Sequence, residues 1–129
     1  MQNEISEDDE NTRQLKSILS KLNMATGDIE ASAVTTSDGL IKAAMLGDEI
    51  DPDRFGAMCA TLLALSKRAA DETGRGELKL LLIEGTKGTV LIVQIGVKGV
   101  LALAAKPKSN LGMIFLEARR TAEKISEFL

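Results

Sequence analysis

Apolar residues recur at Leu15, Ile18, Leu19 and Leu22, the i, i+3, i+4, i+7 spacing of a helix with one buried stripe. Asn11 or Thr12 can cap it and Gly27 can stop it, which predicts a first helix from about Thr12 to Ala25. Two extended runs follow, Ile29 to Thr36 and Leu40 to Leu46, around Ser37-Asp38-Gly39. An Asp-Gly pair between such runs is a strong hairpin signal. Asp51-Pro52 marks the next helix start. Aspartate accepts an orphan amide at the N-cap, and proline at the first helical position lacks only a hydrogen that has no partner there. This middle helix is expected to run to about Glu72, ended by Gly74. Three further runs, Glu77 to Glu84, Thr89 to Ile95 and Val100 to Ala105, are joined by Gly85-Thr86-Lys87-Gly88 and Gly96-Val97-Lys98-Gly99. Links this short allow only antiparallel neighbours, because a parallel crossover needs a dozen residues or more. After Pro107, Ser109 and Asn110, a last helix places Leu111, Ile114, Phe115, Ala118, Ala122, Ile125 and Leu129 on one face.

The predicted order is αββαβββα. A sheet with one wet face alternates apolar and polar residues, yet Leu80–Ile83, Val90–Val93 and Val100–Ala104 do not, so both faces must be covered. Three helices suffice. The expected fold is a three-layer α/β/α sandwich around a central five-stranded antiparallel sheet, with the middle helix alone on one face.

That middle helix has apolar surface to spare. Phe55, Met58, Cys59, Leu62, Ser66 and Ala69 make one face, Ala57, Ala60, Thr61 and Ala64 make another, and no charge interrupts Phe55 to Ser66. A helix without a charged face for three turns is usually buried on two sides. The chain has no spare helix to cover the second side, which points to another copy of itself. The strand containing Leu80 and Leu82, at the end of its meander, would also expose an apolar edge unless it paired with a two-fold mate. The expected homodimer interface is Ala57, Ala60, Thr61, Ala64, Leu80 and Leu82.

Composition agrees with one domain. At 129 residues and 44% hydrophobic, the chain can bury a core without disulfides or metals. The single Cys59 has no intramolecular partner, no run of about 18 apolar residues is present to span a bilayer, and Met1 to Glu10 lacks the pattern of a signal peptide. A cytoplasmic protein without membrane insertion is expected. Residues 1–10 carry Glu4, Glu7, Asp8, Asp9 and Glu10 and no base, so 1–11 reads as a solvated, mobile tail and 12–129 as the folded domain. Without that run, sixteen basic residues face fourteen acidic ones, a net of +2, too sparse for a nucleic-acid footprint.

Catalytic and cofactor chemistry finds little support. Histidine, tryptophan and tyrosine are absent, which removes Ser-His and Cys-His dyads, histidine metal sites and most aromatic stacking surfaces. Gly85-Thr86-Lys87-Gly88 lacks the spacing of a phosphate-wrapping loop, and Gly74-Arg75-Gly76 follows a helix where a dinucleotide turn follows a strand. Asp48, Glu49, Asp51 and Asp53 lack an EF-hand's central glycine and terminal glutamate. Cys59 reads as core. Arg54 and Arg75, at the two ends of the middle helix, could reach a nucleotide in trans, but nothing assembles a nucleophile, base and oxyanion donors. No cofactor, no metal and no autonomous enzyme activity are expected.

Taken together, Ser37-Asp38-Gly39-Leu40, the middle helix running into Gly74-Arg75-Gly76-Glu77-Leu78, Leu82-Ile83-Glu84-Gly85, and Asn110-Leu111-Gly112 leading to Glu117-Ala118-Arg119-Arg120 resemble the Roadblock/dynein light chain family. The likeness runs from about residue 12 to 129. It implies a profilin-like fold and a dimer in which third strands join and middle helices pack together. It further implies a Ras-like small GTPase as partner, with prokaryotic members acting as GTPase-activating proteins that order the GTPase's own catalytic residues. Some activating relatives carry a segment beyond the last helix, which is where this chain ends. Candidate GTPase contacts are Arg54, Lys67, Arg68 and Asp71 at the polar ends of the middle helix, with Arg75 just beyond. The alternative is a dimeric scaffold that tethers other proteins without changing nucleotide turnover. A small-ligand sensor is a third reading, against which stands the scarcity of polar groups in the expected core.

Overall fold

The computed structural model describes residues 7–129. They form α1 (Glu7–Ala25), β1 (Ile29–Thr36), β2 (Ile41–Met45), α2 (Pro52–Glu72), β3 (Leu80–Gly85), β4 (Gly88–Ile95), β5 (Gly99–Ala105) and α3 (Leu111–Ser126). The strands make one antiparallel sheet in the order β2-β1-β5-β4-β3, so the first hairpin and the later meander meet where β1 pairs β5, Val34 opposite Leu101.

The strands' unbroken apolar runs are explained by helices on both faces. Leu91, Val93, Leu101 and Leu103 point to one side, where Leu15, Leu19 and Leu22 of α1 and Ile114, Ala118 and Ile125 of α3 bury them. Ile92, Val100 and Ala102 point to the other side, onto Cys59 and Leu63 of α2. The fold is the expected α/β/α sandwich.

Local chemistry sets the helix ends. The Asp51 carboxylate accepts from the Asp53 and Arg54 amides at 3.0 and 3.3 Å, with Pro52 at the first helical position. Caps of this kind contribute about 1 kcal/mol. Asn110 does the same for α3, accepting from the Met113 amide at 3.2 Å.

Two expectations need correction. The first helix starts at Glu7, not Thr12; acidic residues such as Asp9 and Glu10 suit the first turns of a helix, and Arg13 and Gln14 bond back to Glu10. The acidic residue Glu4 lies outside the described residues. The second correction concerns the rotation of α2. Its sheet-facing stripe is Gly56, Cys59 and Leu63, whereas Met58 and Leu62, expected to face the sheet, are 51% and 36% exposed.

The cause is a backbone contact. Gly39, at φ 97° in the β1–β2 turn, lies against Gly56, and a Cβ built on Gly39 would stand 2.9 Å from the Gly56 carbonyl oxygen. A methyl on Gly56 would overlap the Gly39 carbonyl. Only with both glycines can α2 turn this face to the hairpin. Gly56→Ala is therefore expected to lower the unfolding free energy by about 1–3 kcal/mol in chemical denaturation. Gly47→Ala, with nothing within 4 Å of the new methyl, is the control and should change little.

Candidate interaction surface on the middle helix and the open sheet edge

The rotation of α2 turns a continuous apolar strip to the outside. Met58 (51% exposed), Leu62 (36%) and Leu65 (59%) lie among Ala57, Thr61 and Ala64, all on the solvent side. Arg54 and Arg68 close the strip at its two ends. Its one polar group is already satisfied, since the Thr61 hydroxyl donates to the Ala57 carbonyl at 3.0 Å. That hydroxyl can be covered without leaving a lost hydrogen bond. Ala60 is half-buried and faces Gly39 of the hairpin, so it lies at the border of this strip.

β3 borders the same side of the molecule as an edge strand, paired only with β4. The Gln94 amide donates to the Lys79 carbonyl at 3.2 Å. By alternation, Lys79, Leu81 and Ile83 bond toward β4, and Leu80, Leu82 and Glu84 turn their amides and carbonyls to the open edge. The side chains of Leu80 and Leu82 are half-buried against the α1/α3 core, so these residues offer backbone, not apolar side chain, to a neighbour.

The charged candidates divide. Lys67 and Asp71 line a groove of about 670 Å³ between the end of α2, the Gly76–Lys79 lead into β3, the β4–β5 turn and α3. Arg68 stands exposed on the outer strip. The Arg75 guanidinium donates through Nε to the Thr73 carbonyl at 2.9 Å, which folds it back on its own helix end. Arg54 is fourteen residues before Arg68, roughly 20 Å along a helix rising 1.5 Å per residue. Within one chain the candidates do not form one cluster.

Sequence reasoning missed the groove and the outward Met58, Leu62 and Leu65. It also missed Gln94, whose side chain lines that groove: Nε2 donates to the Gly96 carbonyl at 3.0 Å, and buried Oε1 has no partner. A glutamine directly after the apolar run Val90-Leu91-Ile92-Val93 was the available signal. Among the described residues, no three His, Cys, Asp or Glu side chains converge where a metal could sit, and no helix is long and apolar enough to cross a membrane.

A family model for the Roadblock/LC7 domain matches residues 15–105. The uncharacterised protein MJ1340 of Methanocaldococcus jannaschii is 38% identical over 108 residues, covering 84% of this chain and 93% of that protein. Among solved structures, Myxococcus xanthus MglB has a TM-score of 0.83 at 16% identity over 92% of this chain and 89% of its own. A Roadblock/LC7 domain from Streptomyces avermitilis has a TM-score of 0.82 at 18% identity over 88% of this chain and 95% of its own. Schizosaccharomyces pombe profilin shares the fold more loosely, with a TM-score of 0.65 at 15% identity over 86% and 95%. The chain belongs to the Roadblock/LC7 family, and its fold is profilin-like.

Cys59 is 1% exposed between α2 and the sheet, and burial pushes its thiol up from 9.0 to about 11. A two-unit rise leaves about a hundredfold less thiolate at pH 8. Alkylation by iodoacetamide at pH 8 is therefore expected to be at least about a hundredfold slower in the native protein than in denaturant. Because the folded state holds this proton longer than the unfolded state, stability should fall as pH rises from about 9 toward 11.

Proposed function

We propose that the protein is a homodimeric regulator, without an active site of its own, that binds a Ras-like small GTPase and modulates its GTP hydrolysis. The observation that carries this reading is the outer strip of α2, apolar for three turns and closed by arginines, beside an open β3 edge. Membership of the Roadblock/LC7 family supports it.

About Thr61 the strip is complementary to itself, with Ala57, Met58 and Ala60 on one side matched by Leu65, Ala64 and Leu62 on the other. In an antiparallel two-fold pairing centred there, Leu65 meets the partner's Ala57 and Met58 meets the partner's Ala64, so large faces small at each level. Arg54 falls level with the partner's Arg68, and the partner's Asp71, one turn further on, supplies the carboxylate that offsets this like-charge pair. The candidate contacts that lie far apart in one chain then gather, Arg54 of one copy with Lys67, Arg68 and Asp71 of the other, at two symmetric places on the dimer. Arg75, folded back on its cap, needs no catalytic role.

A GTPase docked there would be regulated by preferential binding of its hydrolysis-competent switch conformation. Coupling of this kind amounts to about 1–3 kcal/mol. The test has two parts. Light scattering at micromolar concentration is expected to give twice the 13.8 kDa chain mass, and Ala64→Glu, which sets a carboxylate against the partner's Met58 one turn from the centre of the interface, should weaken the dimer by at least about tenfold. Phosphate release from a Ras-like GTPase should change in rate on adding the wild-type chain and not on adding Ala64→Glu. Binding with an unchanged rate would make the protein a scaffold instead.

A further inference from the structure

We infer that, in the dimer, the β3–β4 turn of one copy closes the groove beside β3 of the other, with Lys87 set against Glu77. This rests on the dimer reading above and goes on to assign a register and an ion pair that self-association alone does not require.

The groove at the entrance to β3 is poor in internal pairing. Asp71, Glu77 and Glu123 line it together with Lys67, Lys79 and Arg119, yet among the described residues none of these six makes an ion pair, and the buried Gln94 Oε1 in the same groove accepts nothing. At the other end of β3, Lys87 stands fully outside in the two-residue turn that joins Gly85 to Gly88, also without an ion pair.

Antiparallel addition across a two-fold axis brings the far end of one β3 to the near end of the other. Only ladders that match the outward-bonding residues Leu80, Leu82 and Glu84 are allowed. Three of these overlap enough of the strand to be considered. Continued past the ends of β3 into the β3–β4 turn and the segment before Leu80, they bring the partner's Lys87 level with Arg75, Glu77 or Lys79. The first and third place like charges together, and such pairs directly opposite one another are destabilising. The second pairs Lys87 with Glu77. It also centres the ladder on Leu82, with Leu80 opposite the partner's Glu84, and so uses the whole of β3. Charge and strand length select the same register. Lys87 then brings three N–H donors to a groove mouth that holds unpaired acceptors, and the contact occurs twice per dimer.

In one chain Glu77 and Lys87 flank the six residues of β3 and cannot meet, since a strand rises about 3.3 Å per residue. A disulfide between these positions must therefore join two chains. In a Cys59→Ala background, the double variant Glu77→Cys/Lys87→Cys is expected to give a covalent dimer on copper–phenanthroline oxidation, whereas either single variant should give none. Independently, Glu77→Lys and Lys87→Glu should each weaken the dimer by about tenfold at low salt and by less in 0.5 M salt, and combining them should restore it. A protein that is dimeric by light scattering, but neither cross-links nor responds to the charge swap, overturns the register and leaves the dimer reading standing. A monomeric protein overturns both.

Discussion

The contact between the backbones of Gly39 and Gly56 governs the molecule's outward chemistry. It brings α2 close to the β1–β2 turn and sets its rotation about its own axis. Gly56, Cys59 and Leu63 consequently face the sheet, and Met58, Leu62 and Leu65 face away. A helix so placed satisfies the fold with its narrow side and leaves its broader apolar side unused. The exposed strip thus follows from how the core is closed.

The sheet repeats this division between what is satisfied inside and what is left outside. Its centre, β1-β5-β4, is paired on both sides and covered on both faces, so side chains such as Ile92 and Leu101 are fully buried. β3 has the same apolar character but ends the sheet, with half of its backbone groups facing outward. Native proteins usually protect such edges with charge, proline or a bulge. Here β3 runs Leu80-Leu81-Leu82-Ile83 with regular register against β4, and only Glu84 supplies a charge. An unprotected edge and an uncovered helix face are the two features on which the proposed two-fold pairing rests.

Chemistry within the chain is correspondingly quiet. Its thiol is buried and held protonated by its surroundings, and its charged side chains lie mostly in solvent, some of them in intrahelical ion pairs such as Arg13–Glu10 and Arg120–Glu117. A surface of this kind acts by position. It holds arginine, lysine and aspartate groups at a fixed spacing on a helix.

Much of this architecture was legible along the chain because its determinants are short-range. The Asp51-Pro52 and Asn110 caps, the Asp38-Gly39 turn, the tight links of the meander and the failure of the strands to alternate each depend on neighbours a few residues away, and they led to the right elements, order and layers. The Roadblock resemblance rested on the same local motifs. Tertiary structure alone decided the rotation of α2, because periodicity could not weigh two apolar stripes against each other, whereas the approach of Gly39 to Gly56 could. It alone also decided which charges share a groove and left Gln94 Oε1 without a partner there: Lys67, Glu77, Gln94 and Arg119 lie far apart in sequence, and only the packing of α2, α3 and the end of the sheet brings them together.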